Sequence, residues 1–399
     1  MYNTRLDGLT EYPFQRLTSL LSGVTPSVSS GANPINMSIG EPQHVPPALL
    51  YTALEQHRAD WGKYPPTGGS HDFRAAVGAW CDHRYGLPAG FLDPERHILP
   101  VAGSREGLFM AAQLCTPPQK AGRTPALLMP NPFYQVYFGA AVMQGADPVY
   151  VAAEAATGFQ PDYSGVAKAD LDRAAAAYLC TPANPQGAVA SLEQLKTLIR
   201  LARAHDFVLI SDECYSEIYQ DTSPPGALAA CAALGEGLAN VLVFNSLSKR
   251  SSVPGLRSGF VAGDPDLIAK FARLRAHGGA VQPLPVIAAS AALWRDETHV
   301  EENRALYRAK IEDAVKIFGN QFGFYRPAGG FFLWLDVGDG EAAAKRLWAE
   351  AGIRVLPGAY LARAGASGKN PGQPYIRVAL VHDRKATADA LARMKALLG

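Results

Sequence analysis

Cysteine is scarce in this chain. Five among 399 residues (Cys81, Cys115, Cys180, Cys214 and Cys231) form an odd set with no Cys-x-x-Cys pair, so scattered reduced thiols are expected rather than a disulfide framework. Nine histidines show no His-Glu-x-x-His or other paired ligand spacing, and no metal site is expected. An excess of one charge is also missing. With 37 basic and 36 acidic side chains the formal net charge is +1, which leaves no electrostatic footprint for nucleic acid or an anionic membrane. No run approaches the roughly 18 apolar residues that cross a bilayer, and Met1–Asp7 lacks the apolar stretch of a signal peptide. A cytoplasmic protein without a membrane partner is therefore expected. Gly-x-Gly-x-x-Gly, the Walker-type Gly-Lys-Ser/Thr and Gly-x-Ser-x-Gly are absent, which argues against a dinucleotide oxidoreductase, a nucleotide hydrolase and an α/β-hydrolase.

What is present is an ordinary globular composition, 48% hydrophobic and 18% charged, in a chain too long for one compact core. Two domains are expected. Residues 175 to 250 read most clearly. An apolar run ends at Tyr178-Leu179-Cys180 and meets the breaker-rich turn Thr181-Pro182-Ala183-Asn184-Pro185-Gln186-Gly187. Ser191 and Gln194 then make a capping box, and Leu192, Leu195, Leu198, Ile199 and Ala202 fall on one helical face. Phe207–Ser211 and Val241–Phe244 read as buried strands. Such alternation builds an α/β fold: a mostly parallel sheet between helices, which we place at residues 45–290. Residues 1–44 and 291–399 are assigned to a smaller α/β domain, with a long helix over about 291–318, strands near Phe331–Leu335, Ile353–Leu356 and Tyr375–Val378, and an exposed loop from Gly365 to Pro374.

Ligands of such sheets bind beyond the carboxyl ends of the strands. Asn184, Asp212 and Lys249 each follow a predicted strand, so three unlike polar groups converge on one rim across separations of 28 and 37 residues. The loops at Gly103-Ser104-Arg105 and Pro130–Tyr134 join them. Lys249 lies in Ser246-Leu247-Ser248-Lys249-Arg250, eight residues before Arg257. An amine of ordinary pKa, about 10.4, needs desolvation or neighbouring cations to free its lone pair, and Arg250 and Arg257 are candidate cations. This arrangement suits a lysine that holds pyridoxal 5'-phosphate as a Schiff base. Ser246, Ser248 and Arg257 are the residue types a phosphate dianion seeks, and the helix start at Ser104-Arg105 adds backbone N–H groups. A buried Asp212 beside the pyridine nitrogen keeps it protonated. Tyr215 and Asn184 are donors for the ring phenolate, and Tyr134 is placed to stack on the ring. Arg377, inside the apolar strand Tyr375–Leu380, suits a substrate carboxylate. Each residue alone also has an ordinary reading: a loop lysine, a turn-capping aspartate, an Asn-Pro turn, a helix cap, an internal salt bridge.

Together, Ser246-x-Ser248-Lys249 with Arg257, Asn184-Pro185-x-Gly187, Asp212-x-x-Tyr215 and Arg377 resemble the fold-type I, class I/II pyridoxal-phosphate-dependent aminotransferases. The resemblance spans roughly residues 12 to 380. It implies that Lys249 carries the cofactor and shuttles the α-proton, that Asp212 and Tyr215 act with it, and that Ser104, Arg105, Ser246 and Arg257 hold the phosphate with Ser248 assisting. It further implies a homodimer in which Tyr64 of one subunit reaches the phosphate of the other, and backbone contact of Gly40 with substrate. Tyr12-Pro13-Phe14, Gly103–Phe109, Pro130–Tyr137 and Ser246–Phe260 are similar to succinyldiaminopimelate aminotransferases of lysine biosynthesis. That similarity implies transfer of the glutamate amino group to N-succinyl-2-amino-6-oxopimelate, so the small-molecule partners are amino and 2-oxo acids. Ser258 departs from the broader class, where an aliphatic residue is usual. Arg273 and Arg275 are candidates for the distal end of the substrate. An aspartate, aromatic or acetylornithine aminotransferase, or a carbon–sulfur lyase, would share the cofactor residues. A non-catalytic sensor with this fold would be expected to carry a DNA-binding domain, for which the chain has no spare residues.

Overall fold

The computed structural model describes residues 1–27, 33–365 and 368–399. Strands rich in apolar residues on both faces need two covers, and here both are provided. Along Ala126–Asn131, for example, Ala126 and Leu128 join one core while Leu127 and Met129 join another. The first core is closed by helices His71–Tyr85, Leu192–Ala204 and Leu284–Arg295, which contribute Phe73, Leu195 and Trp294. Helices Ser104–Cys115, Gln135–Gln144 and Pro265–Gly278 close the second with Leu108, Tyr137 and Phe271.

Between them lies a seven-stranded sheet. Its spatial order is Ile98–Val101, Gly259–Gly263, Val241–Ser246, Val208–Asp212, Ala174–Cys180, Ala126–Asn131 and Asp147–Ala152. Gly259–Gly263 is antiparallel to both of its neighbours, and the other strand pairs are parallel. Because that strand runs backwards, its start lies on the rim where Val241–Ser246 ends. The capping box at Ser191 forms as expected, with Gln194 N donating to Ser191 Oγ at 3.2 Å and Ser191 N donating to Gln194 Oε1 at 2.8 Å.

The chain beyond residue 290 differs from the expected single helix. It forms two, Leu284–Arg295 and Thr298–Phe318, separated by an extended Asp296. The Asp296 carboxylate accepts from His299 N at 3.1 Å, a local bond that competes with helix continuation. The expected division at 290/291 thus falls inside the first of these helices. Phe332–Asp336, Tyr375–Ala379 and Leu356–Pro357 form a separate antiparallel sheet, while Ile353–Arg354 pairs in parallel with Ile35–Asn36. Met37 shares a core with Ile311, Leu347, Ile376 and Leu391, so the early segment packs with the late one. Of the loop expected over 365–374, residues 366–367 lie outside the described residues; Gly372 is buried against Gly358, and its neighbours are more exposed.

Candidate active site

The strands ending at Cys180, Asp212 and Ser246 deliver their following residues to one rim, where a cavity of about 540 Å³ opens. Ser104, Arg105, Tyr134, Asn184, Asp212, Tyr215, Ser246, Ser248, Lys249, Arg257, Gly40 and Arg377 border it, whereas Tyr64, Arg250, Arg273 and Arg275 do not. Tyr64 is fully exposed and lies away from the cavity of its own chain.

Lys249 sits on the one-turn helix Leu247–Arg250. Its ammonium donates to the Gly40 carbonyl and lies 5.4 Å from the centre of the Phe331 ring. Burial pulls its pKa down from 10.5 to about 8; Arg377 and Arg105 add to the fall, and Cys214 and Glu41 oppose it. Gly40 is required for this approach, because a Cβ there would stand 2.5 Å from the Phe332 ring.

Arg250, expected beside Lys249 as an activating cation, faces the other way. Adjacent residues on a helical turn point about 100° apart. Its guanidinium is buried against the carbonyls of Leu293 (2.7 Å) and Asp296 (3.1 Å) and pairs with Glu297.

Asp212 is buried at the strand end. Its Oδ2 accepts from the Tyr137 hydroxyl at 2.7 Å and its Oδ1 from Cys214 N at 3.3 Å. Burial raises its pKa, against the pull of those donors and of Lys249. Tyr137 was not among the expected site residues. It stacks on Tyr178 at 4.3 Å, which fixes the hydroxyl, and its position in the first turn of helix Gln135–Gln144, three residues after the capping Tyr134, was the available signal. Tyr215 packs edge-on against Phe331 and Phe332 at 5.5 and 5.8 Å, and Tyr134 accepts from Arg105 Nε at 2.7 Å.

At another corner of the cavity, Arg257 and Arg105 face the start of helix Ser104–Cys115. Arg257 donates to the carbonyls of Pro254 (3.0 Å) and Ala102 (3.4 Å), and neither guanidinium makes an ion pair among the described residues. Gly103, with φ of 81°, leaves the space: a Cβ there would lie 2.2 Å from Arg257 Nη2. Ser246 Oγ donates to Ser258 O at 2.9 Å, accepts from Ser248 N at 3.1 Å and lies 2.9 Å from Ser248 Oγ. Ser258, the departure noted above, is buried and meets Ser290 Oγ at 2.7 Å.

Arg377 is buried with no carboxylate partner among the described residues, so the internal salt bridge is not formed. Nη1 donates to Asn184 Oδ1 at 3.0 Å, Nη2 donates to Ser38 O at 2.7 Å, and Nε has no partner. Burial lowers its pKa from 12.5 to about 10. Arg275 pairs with Glu106 at 2.6 Å, and neither it nor the exposed Arg273 reaches the cavity of this chain. Tyr12, Phe14, Ile39, Leu356 and Leu361 instead form much of the outer wall, an assembly of segments distant in sequence that no local pattern announced.

Two unpaired guanidinia, a glycine-opened helix start and serine hydroxyls fit a phosphate dianion. A desolvated lysine and a buried aspartate on the same cavity fit the rest of pyridoxal phosphate. The fold and site are those of an aminotransferase. The family described as aminotransferase class I and II matches residues 32–394, and the chain belongs to this pyridoxal-phosphate-dependent family. A solved aminotransferase from Neisseria meningitidis Z2491 superposes with a TM-score of 0.94 at 40% identity, covering 100% of both chains. The 4-dedimethylamino-4-oxo-anhydrotetracycline transaminase OxyQ of Streptomyces rimosus is 33% identical over 90% of this chain and 92% of its own. The LL-diaminopimelate aminotransferase of Moorella thermoacetica is 29% identical over 99% and 98%. Among the described residues, no helix is long and apolar enough to cross a membrane.

Proposed function

We propose that this aminotransferase moves the glutamate amino group to N-succinyl-2-amino-6-oxopimelate, releasing 2-oxoglutarate and N-succinyl-LL-2,6-diaminopimelate in the diaminopimelate route to lysine. The observation that carries the reading is Arg377: a buried guanidinium with no carboxylate partner among the described residues, bordering the same cavity as Lys249, suits the α-carboxylate of each amino or 2-oxo acid in turn. When bound, pyridoxal phosphate supplies an electron sink for the bond broken at the substrate α-carbon. Lys249 holds the cofactor, and its Nζ, poised near 8, removes and returns the proton at Cα. Asp212, oriented by Tyr137, would offer its carboxylate to the cofactor's ring nitrogen, and Tyr215 and Asn184 would supply hydrogen-bond donors to the cofactor. Ser104, Arg105, Ser246, Ser248 and Arg257 would hold the phosphate, and Tyr134 would help bind the cofactor. Gly40 and Asn184 flank the substrate.

Residues 45–290 are read as the cofactor-binding unit, and 1–44 with 291–399 as the smaller one. The active form is read as a cytoplasmic homodimer, in which the exposed Tyr64 reaches the neighbouring site.

The succinylated substrate rests on the motif similarities at Tyr12–Phe14, Pro130–Tyr137 and Ser246–Phe260. The likeness to an LL-diaminopimelate aminotransferase favours a second reading, the same skeleton without the succinyl group. Mass spectrometry of products formed from glutamate and a panel of 2-oxo acids separates the two. Dominant turnover of the succinylated acid is expected. Faster turnover of the unacylated acid or of oxaloacetate would reject the assignment.

A further inference from the structure

Behind Lys249 runs a chain of polar side chains, Asn303 and Lys310 buried and His44 half-buried, none of which borders the cavity. Asn303, on helix Thr298–Phe318, donates through Nδ2 to two successive carbonyls, Lys249 O and Arg250 O, each at 3.0 Å. A one-turn helix leaves its last carbonyls without internal partners, so this single amide closes the turn that carries the reactive amine.

The orientation of the amide follows from chemistry. Carbonyls only accept, so the NH₂ group must face them, and Oδ1 faces His44 Nδ1 at 2.7 Å. His44 must therefore carry its proton on Nδ1 and offer a lone pair at Nε2. Lys310, fully buried, donates to that Nε2 at 2.7 Å and to Leu380 O at 3.0 Å. The Asn303 amide, the His44 Nδ1–H and two of the Lys310 protons thus each meet an acceptor. Burial lowers the pKa of both His44 and Lys310, the latter to about 8, with Asp383 as the opposing charge on Lys310. A second path joins the same places: His44 packs on Tyr307 at 4.5 Å, Tyr307 stacks on Phe331 at 5.0 Å, and Phe331 lies under the Lys249 ammonium. Ser252 Oγ also donates to His44 O at 3.0 Å.

We propose that Asn303 is a positioning residue for Lys249, held in its working orientation by the half-buried His44 and the buried Lys310 behind it. The inference rests on Lys249 being the cofactor lysine, and the test separates the two. Lys249 in the apoprotein is trace-labelled with acetic anhydride across pH and read by mass spectrometry, alongside kcat and KM for glutamate in the holoenzyme. In Asn303→Ala, kcat is expected to fall roughly ten- to a hundredfold with KM within about twofold, because small misplacements of a reacting group carry costs of that size. The labelling pKa of Lys249, which faces Cys214, Glu41, Arg105 and Arg377, should rise toward its ordinary value as the turn loosens.

Asn303→Asp should be worse than Ala, since a carboxylate would meet two carbonyls; a mere space-filling role gives the reverse order. If the Asn303 variants do not fold, His44 decides. His44→Gln can still donate to Asn303 and accept from Lys310, and should recover most of the activity lost in His44→Ala. Equal loss in the two His44 variants, or an Asn303→Ala enzyme with unchanged kcat or unchanged Lys249 labelling, overturns the proposal. An active, cofactor-loaded Lys249→Ala protein overturns the underlying site assignment instead.

Discussion

Replacing Arg377 by methionine keeps a long side chain and removes the charge, and its consequences for binding and for stability should part company. Without substrate, the guanidinium is a buried cation without a carboxylate partner among the described residues, and the fall of its pKa from 12.5 to about 10 corresponds to roughly 3 kcal/mol of unfavourable burial. Methionine relieves that cost. It also strands the Asn184 and Ser38 oxygens, at about 1–3 kcal/mol for each acceptor left dry. These effects oppose each other, so the melting temperature of Arg377→Met should stay within about 4 °C of the parent. On the proposed role of Arg377, the substrate carboxylate, in contrast, loses a buried charge partner. Loss of one member of such a pair is worth about 3–5 kcal/mol, or roughly a hundred- to several-thousandfold in KM for glutamate and for the 2-oxo acid alike. Thermal denaturation and steady-state kinetics on the same preparation read both quantities. A KM for glutamate within about threefold of the parent would falsify the carboxylate role, and a protein that melts far lower would make Arg377 a structural residue.

Lys249→Met should give a colourless protein without transaminase activity, and it should also alter how apoprotein stability depends on pH. The folded pKa of Lys249 is about 8 against 10.5 unfolded, so below pH 8 the burial penalty is fully present. Between those values only the unfolded chain holds the proton and stability rises with pH, by up to about 1.4 kcal/mol per pH unit. Urea titrations of parent and variant over that window should diverge by this slope, and parallel curves would contradict the lowered pKa. Tyr137→Phe removes the 2.7 Å donor to Asp212, pushing an already raised pKa further up. A fall in kcat of about tenfold is expected, with the acid limb of the pH profile moving to higher pH; an unmoved limb counts against Tyr137.

The sequence made the rim legible because strand ends and breaker turns are local signals: Cys180 to Asn184, Asp212 and Ser246 to Lys249 each announce themselves within a few residues. Side-chain direction was less accessible. Arg250 has the right charge at the right distance along the chain, yet the helical turn swings it into the Leu293–Glu297 carbonyls and carboxylate. Tertiary partners were least accessible. The pairing of Asp212 with Tyr137 spans 75 residues and that of Arg377 with Ser38 spans 339, and no periodicity encodes either. The break at Asp296 was missed because the apolar spacing continues on both sides of it.

The reversed strand Gly259–Gly263 places Lys249 and Arg257 on one short excursion of the chain, between neighbouring strands of a single sheet. The amine proposed to react and the guanidinium proposed to hold the phosphate are thereby positioned by one local unit of the chain. The outer wall is drawn from elsewhere, from Tyr12 and Phe14, Ile39, Leu356, Leu361 and Arg377. Substrate choice can thus drift by substitutions in those separate segments without disturbing that unit. An insertion between residues 250 and 256, by contrast, would separate the amine from the guanidinium and is expected to weaken cofactor binding.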